Sequence, residues 1–338
     1  MSEKKNWVQG IDSIRFFLAL IVLLSHYRNP FILLFKNSEN KLAQLFSGAI
    51  SHLFLGVGAV IAFFIISGFV IHYPNRHKEK INVVNFLLRR WLRIGIPMVV
   101  IGLIAGYFGY FNNIPVWSLY CEIIYYTIYP LLFRSRISWG RQFWISFVLS
   151  YAVIIALNLA EINSFIHQAN LGYNINYWQL GISLTWLVGL PCWLLGVLLA
   201  ERADRFNFQV STLKIYACRA GVFLLSMAIF ALATHYYLSC ILSLNIYALV
   251  LYLWLKQEIV YYRSHQPSRV FEYFGKFSYS LYLCHQLCLI IISTFLVYNE
   301  YTYLLYIVLS LGISYIAYLL VEYPSHKLAQ KINYAPGR

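Results

Sequence analysis

Three ionisable residues, Asp12, Arg15 and His26, stand in one apolar stretch, "IDSIRFFLALIVLLSHY" at residues 11–27. An Asp or Arg at the centre of a membrane helix is disfavoured by roughly 2.5–3.5 kcal/mol on insertion scales, so such groups call for a role. On a helix, the spacing of Arg15 and His26 puts them about 20° apart in rotation and about 16 Å apart along the axis, on one face. Asp12 precedes Arg15 by one turn and can pair with it. Two bland roles compete: Arg15 snorkelling to the interface, and His26 as an interfacial histidine with no chemistry.

Three further stretches carry groups of the same kind. "LLRRWLR" at 87–93 holds Arg89, Arg90 and Arg93 around Trp91 and Leu92. It reads either as a membrane anchor or as a cradle for a phosphorylated ligand, because Arg binds phosphate oxygens bidentately. "WSLYCEIIYYTIYP" at 117–130 places Glu122 inside an apolar run, roughly 8 Å below the outer surface at 1.5 Å per residue. An intramembrane carboxylate is a functional candidate with a partner to be named. His26 lies at similar depth, and a Glu122–His26 pair would fix the imidazole tautomer and stabilise the imidazolium. The competing role for Glu122 is structural hydrogen bonding. In "FGKFSYSLYLCHQ" at 274–286, Ser278, Tyr282 and His285 share one helical face, with packing and function equally open for the histidine. Ser67 and Gly68, in "FFIISGFVIHY", suit close helix packing or the passage of a narrow ligand chain.

These groups need helices to hold them. Apolar runs long enough to span a bilayer occur at 10–27, 50–73, 94–110, 117–133, 142–160, 180–200, 215–233, 236–255, 274–297 and 302–322. The expectation is an all-α, polytopic membrane protein of about ten helices, forming a single domain over 1–338. All of the 26 Lys and Arg lie in segments sharing one side, except Arg28, Lys36 and Lys41 on the other side and Arg15 and Arg219 within spans. The positive-inside rule then puts both termini in the cytoplasm. Arg15 belongs to the cytoplasmic half and His26 to the outer end.

Composition agrees. Hydrophobic residues make up 60% of the 338 and charged residues only 11%, where a soluble domain has about a quarter charged. The 29 Tyr, 24 Phe and 9 Trp suit broad membrane–water interfaces. The net charge of +14 is therefore a matter of topology and does not point to nucleic acid. Cys121, Cys192, Cys218, Cys240, Cys284 and Cys288 all fall in apolar segments without ligand spacing and read as packing residues. His52, His72, His77, His167, His235, His265 and His326 form no metal-ligand pattern, so no metal is expected. The basic start "MSEKKNWVQG" leads to no cleavage site, so the first span is expected to be retained.

Taken as a set, the motifs are familiar. The chain resembles the acyltransferase family 3 membrane proteins, which include bacterial O-antigen and exopolysaccharide O-acetyltransferases. "IDSIRFFLALIVLLSH" looks like the family's opening block, with an Arg, ten residues and a His. "FFIISGFVI", "RRWLR", "WSLYCEIIYYTIYPLL", "FGKFSYSLYLCHQ" and the closing "YLLVEYPSHKL" follow in the family's order. Ser13 and Phe16 stand where the family often has smaller residues, and the proline common after the last block's His is absent after His285. Many relatives carry a C-terminal esterase-like domain that finishes the transfer. Without one, the membrane domain or a separate periplasmic protein would complete it.

The resemblance implies an acyl-coenzyme A donor, usually acetyl, and a cell-envelope glycan hydroxyl as acceptor, at the bacterial inner membrane. With the residue reading it gives an expected geometry. Arg89, Arg90 and Arg93 hold the coenzyme phosphates, and the pantetheine arm passes Ser67, Gly68 and Arg15. His26, oriented by Glu122, acts as general base, with Asp12 neutralising Arg15. Ser278, Tyr282 and His285 lie near the donor, the first two as oxyanion donors. A covalent acyl-histidine route remains open. The rival classes are a transporter or flippase using the same buried charges, and a sensor whose Arg cluster reads anionic lipid.

Overall fold

The computed structural model describes residues 8–110, 116–167 and 176–332. Among them the chain is helical throughout, with no strand. In order, the helices are α1 (Ile11–His26), α2 (Phe31–Lys36), α3 (Lys41–Ser51), α4 (Gly56–His72) and α5 (Val83–Tyr107). There follow α6 (Val116–Arg134), α7 (Trp139–Leu157), α8 (Leu159–Ile166), α9 (Ile182–Arg202) and α10 (Thr212–Tyr236). The last are α11 (Cys240–Tyr261), α12 (Arg269–Gly275), α13 (Ser278–Ser293), α14 (Tyr303–Ala317) and α15 (Tyr323–Lys331). Each apolar run expected to span overlaps one of these helices, though α5 and α11 extend well beyond theirs. Seven helices among the described residues are long and apolar enough to cross a membrane, and α13 is a shorter apolar helix. Lys4, Lys5 and Arg338, part of the orientation argument, lie outside the described residues.

The two helices richest in candidate residues, α1 and α13, have 16 residues each. That is about 24 Å of helix, less than the ~30 Å hydrocarbon core. α13 is buried along most of its length and α1 along half of it, and both are held by neighbours. α1 begins after Gly10, whose φ of 85° suits a residue without a Cβ and whose side offers no cap. Glu272 of α12 supplies one, accepting from Ser13 N–H at 2.9 Å and from Ser13 Oγ–H at 2.7 Å. A carboxylate there satisfies free N–H groups and meets the positive end of the helix dipole. α13 is treated the same way, since Glu322 accepts from Ser280 N–H at 3.1 Å and Ser280 Oγ–H at 2.5 Å. Glu322 closes a π-helical turn, Tyr318–Glu322, that joins α14 to α15. At the other end, Tyr27 hydrogen-bonds the His285 carbonyl at 3.1 Å and Ser310 Oγ at 2.5 Å, tying α1 to α13 and α14.

Two departures from the family pattern take part in this contact. Ser13 is the capped residue, and Phe16 packs against Phe271, Phe274 and Phe277.

The segment around Arg89, Arg90 and Arg93 differs from expectation, which placed it before a helix starting at 94. It lies inside α5, which starts at Val83 under an Asn82 cap. Pro97 cannot donate to the Arg93 carbonyl. The carbonyls of this turn are met from other helices, Leu92 O by Ser325 Oγ at 2.5 Å and Ile94 O by Tyr279 Oη at 2.9 Å.

α4 and α9 cross backbone to backbone. A Cβ on Gly68 would lie 2.1 Å from Trp193 O, and one on Gly196 would lie 1.9 Å from Ile65 O. Gly68 is thus a packing residue and does not face a ligand path, because the α9 backbone fills the space its missing side chain leaves. Arg219, the other arginine expected within a span, is neutralised by Glu258 through bonds of 2.7 and 2.8 Å.

Candidate active site

An inner cavity of about 110 Å³ lies between α1, α4, α5, α6, α13 and the π turn. Arg15, Arg90 and Arg93 bring guanidinium groups to it, and Glu122 and Glu322 carboxyl groups. Ser67, Ser118, Tyr126, Ser278, Tyr279 and Tyr282 supply hydroxyls. Asp12 stays outside the lining, paired to Arg15 at 3.2 Å. It holds that guanidinium from one turn away. Arg90 and Arg93 meet in the cavity because they are three apart on one helix.

Arg90 also lines a second pocket, of about 170 Å³, with Arg89, Lys78, Asn75, Pro74 and Phe86. This pocket opens at the end of the molecule rich in Lys and Arg. Its lining carries three cations and no carboxylate among the described residues, the chemistry of a phosphate site.

Glu122 is held by a chain of donors. Tyr126 Oη donates to it at 2.9 Å, Ser67 Oγ lies 2.8 Å from Tyr126 Oη, and Trp193 Nε1 donates to Ser67 Oγ at 3.3 Å. Each hydroxyl has one proton. With Tyr126 donating to the carboxylate, Ser67 donates to Tyr126 and is free to accept from Trp193. Ser278 Oγ, on the cavity wall, is buried with no protein partner.

His26 is elsewhere. It lines an outer vestibule of about 820 Å³ with Ser25, Trp117, Asn176, Trp178, Gln179 and Gln286 among others. The expected Glu122–His26 pair is not formed. Equal depth did not imply a shared face: Glu122 faces the inner cavity, while His26 Nδ1 lies 2.9 Å from Val22 O. A carbonyl only accepts, so Nδ1 carries the hydrogen and Nε2 keeps its lone pair. The helix itself thereby sets the tautomer that a general base requires.

Tyr282 and Val60 line both the inner cavity and the vestibule. Tyr282 Oη and Ser118 Oγ are 2.5 Å apart, which closes the partition. His285 lines neither space. It is fully buried, with its ring 4.7 Å from that of His26.

The sequence profile of the acyltransferase domain matches residues 8–319, nearly the whole chain. The chain belongs to acyltransferase family 3. With its apolar helices, that membership makes it a multi-pass membrane protein and an acyltransferase. No curated protein and no solved structure matches the chain. Every block that carries the family resemblance sends a residue into the inner cavity: Arg15, Ser67, Arg90 and Arg93, Glu122, Tyr282 and Glu322. The sequence reading missed Glu322, Tyr126, Ser118 and Lys78. Only Glu322 had a signal, the "VEYP" of the closing block.

Proposed function

We propose that this acyltransferase moves an acyl group, acetyl in the simplest case, from cytoplasmic acyl-coenzyme A to a hydroxyl of a cell-envelope glycan such as O-antigen or exopolysaccharide. The observation that carries the reading is three spaces in series with shared walls. The cationic pocket meets the inner cavity at Arg90, and the inner cavity meets the His26 vestibule at Tyr282 and Val60.

Each space suits one part of the reaction. Lys78, Arg89 and Arg90 offer donors to the coenzyme phosphates. The inner cavity, well below the ~300–1,000 Å³ of ordinary ligand sites, admits a slender thioester arm, whereas the vestibule lies in that range and suits a sugar. Its lining of Trp117, Trp178, Asn176, Gln179 and Gln286 offers faces and amides to a neutral glycan. His26 Nε2 removes the acceptor proton as the hydroxyl attacks the thioester carbonyl, and returns it to the leaving thiolate. Ser278 and Tyr282 are the candidate hydroxyl donors for the developing oxyanion. Arg15 and Arg93, balanced by Glu122 and Glu322, keep the donor cavity polar without leaving a net negative charge to repel the coenzyme. On this reading the protein sits in the bacterial inner membrane, with the glycan outside and a separate periplasmic protein as an optional final carrier.

The test is acetyl-coenzyme A binding by the purified protein in detergent. Binding is expected in the parent, with Arg90→Ala weakening it about tenfold or more, the worth of one charge-assisted contact. No binding by the parent would overturn the donor assignment.

A further inference from the structure

Helix α10 sits at the edge of the bundle. Only Ile215, Ser226, Ile229 and Ala233 of its 25 residues are buried, and it packs chiefly on α11. Between these two helices and α1, α4 and α12 lies a cavity of about 730 Å³, the size of an ordinary ligand site. It shares no lining residue with the inner cavity and only Leu55 with the vestibule, so it stands apart from the path proposed for acyl transfer.

The cavity has a polar end and an apolar end. At the polar end Arg219 lines it with Tyr216, Tyr262, Gln266 and Ser268. Buried Glu258 accepts from Arg219 Nε at 2.7 Å and Nη2 at 2.8 Å, and Tyr262 Oη accepts from Nη2 at 3.0 Å. A guanidinium has five N–H donors, and the two on Nη1 find no acceptor among the described residues. The Arg219 side chain is 31% exposed and lines the cavity, so a ligand can reach it. At the other end Ser226 and Tyr247 spend their hydroxyls on the carbonyls of Phe223, at 2.7 Å, and Val222, at 3.2 Å. That leaves an apolar lining beside Ile21 and Leu55. From Tyr216 to Ser226 the α10 wall covers about 15 Å, half of a ~30 Å hydrocarbon core and so the depth of one leaflet.

We infer that the cavity seats a phospholipid, with one acyl tail between α10 and α1 and the phosphate at Arg219 Nη1. An apolar cavity excludes water, and its rim at Phe17, Ala220 and Phe271 is exposed on a membrane-spanning protein, where acyl chains are the surrounding solvent. The phosphate brings only acceptors, which match Nη1 and the hydroxyls of Tyr216 and Ser268. Glu258 already balances the Arg219 charge, so the phosphate is read through its oxygens and the headgroup needs no further negative charge. The tail fills the side of α1 that the protein leaves open, and α1 is the helix that carries Arg15 and His26.

The test is photolabelling of the full chain in maltoside detergent, titrated with phosphatidylethanolamine that carries a diazirine in its tail and read by peptide mass spectrometry. Label is expected on Tyr247 and Leu251, which line the cavity and are buried from bulk lipid and detergent. Label confined to outward residues such as Leu224 overturns the inference. Ala220→Trp, which fills the rim, is expected to abolish labelling of Tyr247 and Leu251. Gly221→Trp, one residue on and facing open space, is expected to leave it unchanged. The same labelling in both tryptophan variants overturns the site. Arg219→Lys keeps Glu258 paired but lacks Nη1, and is expected to raise the half-labelling concentration about tenfold, the effect of one hydrogen bond to a charged group. An unmoved half-point in Arg219→Lys, or equal labelling by a diazirine fatty acid, overturns the phosphate seat.

Discussion

Glu122 ends a line of donors that starts at the Trp193 indole and passes through Ser67 and Tyr126. Losing Tyr126 Oη leaves the carboxylate without its direct bond and Ser67 without an acceptor. Tyr126→Phe is therefore expected to lower acyl transfer about tenfold while the protein still folds, measured as the turnover rate of purified enzyme. At this scale much was legible. Arg15, His26, Glu122, Arg90 and Arg93 stood out because charge is rare in apolar runs. Tyr126 could not stand out among 29 tyrosines, since nothing in a tyrosine's spacing tells a cavity hydroxyl from a packing ring. The Glu122–His26 pair failed because depth along a helix can be counted, but the rotation of one helix against another cannot.

Helices α4 and α9 show how packing fixes these positions. Gly68 lets the Trp193 backbone approach α4, and its neighbour Ser67 thereby faces the inner cavity and receives the Trp193 indole N–H. Gly68→Ala places a methyl 2.1 Å from a backbone oxygen that cannot rotate away. It is expected to destabilise by about 1–3 kcal/mol, seen as a lower thermal midpoint in detergent. The apolar runs located the membrane helices because period and composition survive in any context. The start of α5 was misread because Arg89, Arg90 and Arg93 look like a loop beside the membrane. Cavity-lining arginines and interfacial arginines have the same sequence signature. The caps supplied by Glu272 and Glu322 were invisible for another reason: donor and acceptor lie far apart in the chain.

Across the whole molecule, two compartments meet at Tyr282 and Val60. Tyr282, bonded to Ser118, separates the inner cavity, the proposed donor side, from the larger vestibule, the proposed acceptor side. Truncation to Ala opens that wall to water. Tyr282→Ala is expected to raise acetyl-coenzyme A hydrolysis in the absence of glycan severalfold, while glycan acylation falls. Equal losses of both would mean that Tyr282 serves only the fold. Each family block sends at least one residue into a single inner cavity, walled by five helices and the π turn.

The central claim is that His26, on the vestibule side of this partition, performs the transfer from a donor bound beyond it. The most direct measurement is mass spectrometry of surface glycans from cells carrying either the parent chain or His26→Ala, with acetyl-coenzyme A binding measured on both purified proteins. Loss of the acyl mass with donor binding intact is the expected result. An unchanged acyl mass in His26→Ala would contradict the account.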